Sequence, residues 1–527
     1  MIFNFNEDFQ YDSCISRGIC SPDPRVSSLQ KILVLYLKTA GYYALKLYNF
    51  EVINKDIKAI ILNTISILVS NPDFSETDFK TITQTFNSVI PTVIDEYSAI
   101  CESKNIEPEY LNTILDFSKK TDIIKSIQAG EKVDLQEIES VSQELRDMFK
   151  ILLVIAKSIC TNILDLETLD IDEKEGYYTI LEILDYLNNT NSSAEELKKC
   201  ILHVCEKDNF LSKKLHEEWE KRFGKQEITE VSYSTFPGKA MLVVGSNIKE
   251  LEDILEALKD KEIDVYTHDE MMLAHTYKKF KSYKHLKGQY GQGLENCLLD
   301  FATFPGPIIL TRHSLYNVEH LYRGRLYTTD FACSKGVVRI DNKDFSGVID
   351  AAKNSKGFKR GKHCESVVLG YSYKEIADAV KEKLSFENRY ERIFIVGLGG
   401  YSLELQTYYQ KLFKKTPDNV LVLSLANSFA KDNVMHFNMC FDNYAIVAIT
   451  ELLNEFTELP ITLFFPSCSR STIAQMIYLK QKFNPQIYVS ACTPITLNPN
   501  LIQTLSSVFS IKGTSSVKRD LEEILAD

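Results

Sequence analysis

The sequence has no long uninterrupted apolar stretch and no surplus of basic residues. None of its 527 residues lies in a run near the roughly 18 apolar residues that a membrane-spanning helix needs. The opening stretch MIFNFNEDFQ carries acidic residues where a secretory signal has basic ones. With 72 acidic and 60 basic side chains, the formal charge of -12 repels phosphate backbones. We therefore expect a cytoplasmic protein that binds neither a membrane nor nucleic acid.

Glycine and proline are scarce between Arg25 and Phe223, where apolar residues recur at three- and four-residue spacing. The stretch VSSLQKILVLYLKTAGYYALKLY is typical of a helix, and so are EYLNTILDFSKK, SQELRDMFKILLVIAKSICTNIL and SSAEELKKCILHVCEKD. In the last of these, Ser193 and Glu196 have the spacing of a capping box. The pattern predicts an all-α helical bundle at residues 1–228.

Beyond residue 228, short apolar strands alternate with helices. Strands are predicted in the stretches STFPGKAMLVVGSN, EIDVYTH, GPIILT, ERIFIVGLGG, NVLVLSLANS, LPITLFFPSC and PQIYVSACT. Such alternation favours parallel sheets covered by helices. We therefore predict two Rossmann-like α/β domains, at residues 229–362 and 363–527. The lysine-rich segment 351–365 marks their boundary and is interpreted as a solvated linker rather than a binding patch.

Ligands gather at the carboxyl ends of the strands in parallel sheets, so the residues just after each predicted strand are candidates for a site. These candidates are Ser246, His268, Glu270, Arg312, His313, Ser314, Gly399, Asn427, Pro466 and Cys468. Glu270 and His275 follow the same strand, so they are candidates for one pocket. His268 and His275, however, are also typical of a pair of histidines with a structural role. The GLGG at 397–400 lacks the third glycine of a dinucleotide fingerprint and is interpreted as a tight turn.

The stretch EIDVYTHDEMMLAHTYKKFKSYKHLKGQYGQGLENCLLDFATFPGPIILT resembles the hybrid cluster protein (prismane) family, relatives of the nickel carbon monoxide dehydrogenases. Family members carry VYTHGEMLPAH, KYPHLVGNYG and EFAKFPGAILMT at these places. The stretch SCISRGICSPDPRVSSLQ is similar to the family's GCTTRGVCGKDPEVAALQ, and the resemblance extends to RGRLYTTDFACSKGVVRI, VGLGGYSLELQTYY and MCFDNY. It covers the whole chain and implies an oxidoreductase that reduces hydroxylamine or nitric oxide.

The resemblance also implies two metal centres. In the family, four N-terminal cysteines hold a proximal iron-sulfur cluster. One histidine, two glutamates and four cysteines hold a hybrid iron-sulfur-oxygen cluster. Cys14 and Cys20 match the second proximal cysteine pair, while the expected C-x-x-C before them falls on IFNFNED. Glu270 and Cys440 match two ligands of the hybrid cluster.

The other five hybrid-cluster positions carry residues that are not the family's ligands. They are Ser246, Ser314, Gly399, Asn427 and a position near Pro466. Two of seven hybrid-cluster ligands and two of four proximal ligands therefore remain. Serine, asparagine and glycine do not replace a thiolate toward iron, so the family's clusters are not expected to assemble in their usual form.

Three hypotheses follow. We favour a relative of the hybrid cluster proteins with lost or altered redox function, whose interdomain pocket holds a small molecule or a metal ion. We expect that pocket to be lined by Ser246, His268, Glu270, His275, His313, Ser314, Asn427, Cys440 and Cys468. A second hypothesis is a working oxidoreductase with a remodelled iron-sulfur centre, or with a cluster shared by Cys14 and Cys20 of both chains in a homodimer. A third is a regulatory or interaction protein that docks through its helices.

Overall fold

The computed structural model describes most of the chain. The described residues are 24–68, 76–111, 123–137, 142–188, 193–291, 296–312, 322, 324–331, 333, 336–398, 403–426, 429–439, 442, 444–466, 471–490 and 499–526. Predictions for Cys14, Cys20, His313, Ser314, Gly399, Asn427, Cys440 and Cys468 therefore lie outside the described residues.

The described residues up to Gly224 form helices and their connections. The helices are α1 (Pro24–Tyr48), α2 (Lys55–Ile67), α3 (Glu76–Ser103), α4 (Ile123–Glu137), α5 (Gln143–Thr168), α6 (Lys174–Asn188) and α7 (Ala194–Phe223). Helix α5 is the central one: residues around most of its circumference are buried, because α2, α6 and α7 all pack on it. An apolar pattern that continues around a helix is typical of such a core position.

Two local predictions in the bundle have different outcomes. The capping box is confirmed: Ser193 Oγ accepts from the Glu196 N–H at 3.3 Å, and a Glu196 carboxylate oxygen accepts from the Ser193 N–H at 2.9 Å. The helix predicted for EYLNTILDFSKK does not include its first residues, because 106–111 run without helical structure. Residues 112–120 of that prediction lie outside the described part of the chain.

The first α/β region contains a six-stranded parallel sheet in the order β4-β3-β2-β5-β6-β7. Its strands are β2 (Lys239–Val244), β3 (Ile263–His268), β4 (Leu286–Gln289), β5 (Ile308–Leu310), β6 (Leu326–Thr328) and β7 (Val338–Arg339). Its helices are α8 (Ile248–Leu258), α9 (Cys297–Thr303) and α10 (Ser346–Asn354), with 3₁₀ helices at Asp269–Thr276 and Phe280–Ser282.

The second α/β region contains another six-stranded parallel sheet, in the order β11-β10-β9-β12-β13-β14. Its strands are β9 (Arg392–Val396), β10 (Val420–Ser424), β11 (Val434–His436), β12 (Ile461–Phe465), β13 (Gln486–Val489) and β14 (Ile511–Gly513). Its helices are α11 (Tyr373–Phe386), α12 (Leu403–Lys415), α13 (Ala445–Asn454), α14 (Thr472–Phe483), α15 (Pro499–Phe509) and α16 (Val517–Ala526).

The segment 351–365 is more ordered than the predicted linker. Its start belongs to α10, and antiparallel bridges then join Phe358 to Gly238 and Lys362 to Thr235. A short antiparallel pair follows, formed by β1 (Thr229–Ser232) and β8 (Ser366–Leu369). The lysines interrupt the apolar pattern, but backbone pairing holds this segment against the first sheet.

The predicted fold class is confirmed, since a helical bundle precedes two parallel α/β sheets. Strands β2, β10 and β12 are almost completely buried, as expected for parallel strands covered on both faces. Among the described helices, none is both long and apolar enough to cross a membrane.

Candidate functional site

Ser246 and Glu270 lie side by side because of the register of the first sheet. Strands β2 and β3 are parallel neighbours in which Val244 pairs with His268. Each of the two site residues comes two positions after its strand, so the twenty-four-residue spacing between them equals the offset of this register. Gly245 makes the turn after β2 with a φ of 122°, which a glycine adopts without strain.

These two residues line a cavity of about 60 Å³ at the junction of the helical bundle with both α/β regions. Helices α5 and α7 form one wall, the ends of β2 and β3 form another, and the segments that begin α13 and α14 close the third. The described lining is mostly polar. Its titratable members are Asp165, His216, Glu270, Asp442 and Tyr444. A space of this size and polarity suits water or a small polar ligand.

A buried carboxylate organises the side of the cavity that faces the second sheet. The Asp442 side chain is fully buried, and its oxygens accept from the Tyr373 hydroxyl at 2.7 Å and from the Tyr444 N–H at 3.2 Å. His216 Nε2 lies 3.6 Å from the same carboxylate, and His216 Nδ1 lies 3.3 Å from the Tyr373 hydroxyl. Burial, followed by the charge of Asp442, raises the pKa of Tyr373 well above its ordinary value, so this hydroxyl stays protonated and donates.

Two rings flank His216. The Trp219 ring centroid lies 4.9 Å from the imidazole centroid, and the Tyr444 ring centroid lies 5.5 Å from it. Ser212, His216 and Trp219 share one face of α7 because residues three or four positions apart on a helix are neighbours. Helix α7 therefore contributes a hydroxyl, an imidazole and an indole to one wall.

Asn247 ties the first sheet to the helical bundle beside the cavity. Its side-chain oxygen caps α8 by accepting from the Glu250 N–H at 2.9 Å, while its amide nitrogen donates to Asp165 at 2.7 Å. The Glu250 carboxylate accepts from the Arg312 N–H at 2.9 Å and from the Thr329 hydroxyl at 2.6 Å. Burial raises the pKa of Glu250 despite the nearby Arg312.

The two histidines that flank Glu270 are not among the described lining residues of the cavity. The His268 side chain is fully buried, and its Nε2 lies 3.1 Å from an Asp300 carboxylate oxygen. His275 Nε2 lies 2.8 Å from the Thr267 hydroxyl, and burial lowers the pKa of His275 to about 4. His268 ends β3, and a residue at the end of a strand can face either side of the sheet. Both imidazoles make these contacts within the first α/β region. Pro466 is buried directly after β12.

Of the described lining residues, only Ser246 and Glu270 were predicted from the sequence, and those that were missed include Asp165, His216, Trp219 and Asp442. The first three belong to helices of the bundle, where no local pattern separates a cavity residue from a core residue. Asp442 had a signal, because it lies in the MCFDNY stretch that is similar to the family.

The described donors do not fit the family's iron-sulfur clusters. Such clusters need several thiolates, and the seven described cysteines, none of which lines the cavity, are Cys101, Cys160, Cys200, Cys205, Cys297, Cys333 and Cys364. Within the described part of the chain, no group of three or more histidine, cysteine, aspartate and glutamate side chains is arranged to hold a metal ion. The described lining of the cavity therefore offers no thiolate to a cluster.

The fold and the cavity define an α-then-α/β protein with a polar site between its domains. The model of the Prismane/CO dehydrogenase family matches residues 10–522, and the chain belongs to this family. A hydroxylamine reductase of Acidiphilium cryptum (strain JF-5) is 25% identical over 530 residues, which cover 97% of this chain and 95% of that protein. A Ni-free carbon monoxide dehydrogenase structure from Thermococcus sp. AM4 is 12% identical, with a TM-score of 0.49, over 99% of this chain and 91% of that one.

Proposed function

We propose that this chain is a family member that does not assemble the family's hybrid cluster and that uses the interdomain cavity to bind a small polar molecule. The observation that carries the proposal is the chemistry of the described cavity wall, which offers hydroxyl, amide, carboxylate, imidazole and aromatic groups but no thiolate. Oxygen and nitrogen groups of this kind recognise polar ligands through hydrogen bonds.

The residues at the family's ligand positions support the same conclusion. Ser246 and Glu270 both line the cavity just after the carboxyl ends of β2 and β3, where the family's pattern has a histidine and a glutamate. A hydroxyl in place of an imidazole leaves the site able to hydrogen-bond, but it removes a ligand that iron prefers. The scaffold of the site is thus combined with a donor set suited to binding rather than to electron transfer.

The test is an assay of hydroxylamine reduction, which consumes two electrons and two protons and yields ammonia and water. The purified chain receives an excess of a reduced low-potential dye without oxygen, and the hydroxylamine reductase of Acidiphilium cryptum, prepared identically, is the positive control. We expect dye oxidation no faster than in the protein-free blank. Sustained turnover that depends on hydroxylamine would overturn the proposal and establish a working reductase.

A further inference from the structure

The lysine-rich segment at the end of α10 is a positive surface on a chain of negative net charge. Residues 351–364 contain five lysine and arginine side chains and no aspartate or glutamate, whereas the whole chain has a formal charge of -12. All five cations are exposed: Lys353, Lys356, Lys359, Arg360 and Lys362. A surface of this local sign attracts an anionic partner more strongly than the rest of the chain does.

Four of these five cations have no charged partner within the described part of the chain. Lys353 Nζ lies 3.4 Å from an Asp350 carboxylate oxygen and is the exception. The other four, which we call the basic stretch, make no side-chain hydrogen bond or ion pair with any described residue: Lys356, Lys359, Arg360 and Lys362. The charge of the basic stretch is therefore not neutralised by the described part of the fold.

The backbone of the basic stretch is fixed to the first α/β region. Phe358 exchanges two backbone hydrogen bonds with Gly238, at 2.8 and 3.0 Å. Lys362 does the same with Thr235, at 2.9 and 3.0 Å. The Phe358 ring packs on the Phe304 ring, with their centroids 5.5 Å apart. Because the backbone is already ordered, a partner that binds here pays less conformational entropy than it would at a flexible linker.

An exposed aromatic ring lies beside the basic stretch. Phe236 is 46% exposed and belongs to the segment 235–238, whose backbone pairs with the stretch. The Phe236 N–H donates to the Tyr266 hydroxyl at 2.9 Å, and Lys287 Nζ lies 5.9 Å from the Phe236 ring centroid. Aromatic and arginine side chains are enriched at protein–protein interfaces. The surface therefore offers an apolar contact in addition to its charge.

The size of the surface and the charge of the whole chain decide between classes of anionic partner. A long nucleic acid or an extended anionic membrane would also meet the surroundings of the stretch, and a chain of charge -12 repels it there. Residues 356–362 span at most roughly 23 Å at about 3.3 Å per residue. A short acidic peptide segment matches that length, and its side chains can include an apolar one for the Phe236 ring.

We infer that the basic stretch and Phe236 form a docking surface for a partner protein, which binds through a short acidic segment that carries an apolar side chain. The acidic side chains pair with the four cations, and the apolar side chain packs on the Phe236 ring. None of these residues is among the described lining of the interdomain cavity, so the inference goes beyond the proposed function and does not depend on it.

The probe is a fluorescein-labelled synthetic peptide of about ten residues, rich in glutamate and with a central phenylalanine. Its binding to the full chain is followed by fluorescence anisotropy at low ionic strength, where exposed charges are least screened. One comparison peptide replaces every glutamate by glutamine, and another replaces the phenylalanine by glycine. We expect saturable binding of the probe and binding about threefold or more weaker for each comparison peptide. No saturable binding of the probe, or equal binding of either comparison peptide, would overturn the inference.

A double variant locates the charge that the probe contacts. Lys359→Gln with Arg360→Gln removes two adjacent cations, and we expect it to weaken probe binding about fivefold or more. The matched control is Lys414→Gln with Lys415→Gln, which removes two adjacent exposed cations at the end of α12 and gives the same net charge. It should leave the affinity within about twofold. Equal affinities of the two double variants would show that the probe binds elsewhere or responds to net charge alone, and the inference would fail.

Phe236→Ala tests the apolar contact. The variant keeps the backbone hydrogen bond to Tyr266, and we expect it to bind the probe about threefold or more weakly than the wild type. Leu525→Ala, which changes a leucine of similar exposure (42%) on α16, is its control and should bind as the wild type does. Circular dichroism and thermal unfolding show that each variant is folded. A folded Phe236→Ala with unchanged affinity would contradict the docking surface as described.

Two further probes represent the other classes of anionic partner. They are an oligothymidylate of the same charge as the peptide and vesicles of phosphatidylcholine with phosphatidylserine. We expect both to bind more weakly than the glutamate peptide. If either binds more tightly than the peptide and loses that affinity in Lys359→Gln with Arg360→Gln, the surface takes a polyanion or a membrane and the inference of an acidic protein segment is wrong.

Discussion

Replacing Tyr373 by phenylalanine tests how the fold holds the buried charge beside the cavity. The Tyr373 hydroxyl donates to Asp442 at 2.7 Å, and the Asp442 side chain is fully buried from bulk solvent. A hydrogen bond to a charged group contributes about 1.5–3 kcal/mol. Because Asp442 keeps the Tyr444 N–H and the neighbouring His216, we expect a loss of about 2 kcal/mol.

The assay is urea unfolding of the wild type and of Tyr373→Phe at neutral pH, followed by circular dichroism and by Trp219 fluorescence. A loss of about 2 kcal/mol changes the folded-to-unfolded ratio roughly thirtyfold, which both signals resolve. The urea midpoint measured by Trp219 fluorescence should fall at least as far as the midpoint measured by circular dichroism, because the Trp219 ring lies next to His216, which contacts Tyr373.

Tyr371→Phe is the matched control for this variant. Tyr371 lies two residues away, is partly buried and makes its ring contact with Phe437, and the described residues give its hydroxyl no hydrogen bond. We expect this control to change the free energy of unfolding by less than about 0.5 kcal/mol. If both variants lose the same amount, or if Tyr373→Phe loses less than about 0.5 kcal/mol, the buried hydrogen bond does not stabilise Asp442 as described.

Three further predictions concern other parts of the chain. Burial lowers the pKa of His275 to about 4, so between about pH 6.5 and pH 4 the unfolded chain binds a proton at this imidazole and the folded chain does not. The free energy of unfolding of the wild type should therefore fall by up to about 3 kcal/mol as the pH falls through this range, and His275→Gln should show a smaller loss in the same acid titration. Burial raises the pKa of Glu250, so its protonated form stabilises the fold at low pH and this contribution is lost as the pH rises through the raised pKa. Over that rise the free energy of unfolding of the wild type should fall relative to that of Glu250→Gln, and an unchanged difference would contradict a raised pKa at Glu250. Ser193→Ala removes one half of the capping box of α7 and should cost about 1 kcal/mol in thermal unfolding; an unchanged unfolding temperature would contradict the capping role.

The sequence predicted the fold class because both of its signals are local. Helical spacing without glycine or proline is visible in the stretch that became α5, and apolar strands ending at polar turns are visible at β2, β3 and β12. The pairing of Ser246 with Glu270 was also within reach, because a parallel register turns a fixed sequence spacing into proximity.

Other parts of the site were not predictable in this way. His268 ends a strand as expected, yet its imidazole turns to Asp300, and a sequence does not specify which side of the sheet a strand-end residue faces. His216 and Asp442 meet only because α7 and the start of α13 pack against each other across a domain junction. Such long-range contacts depend on tertiary packing rather than on local propensity.

We propose that this member of the Prismane/CO dehydrogenase family keeps the scaffold without the hybrid cluster. The most direct measurement is iron and acid-labile sulfide per chain, with an absorption spectrum, on protein produced with ample iron and purified without oxygen. We expect well-folded protein with neither element in stoichiometric amount and no visible charge-transfer absorption. About four irons per two chains would indicate a cluster shared through Cys14 and Cys20, and a higher content would mean that a centre has been rebuilt. Either result would show that the chain still binds an iron-sulfur centre.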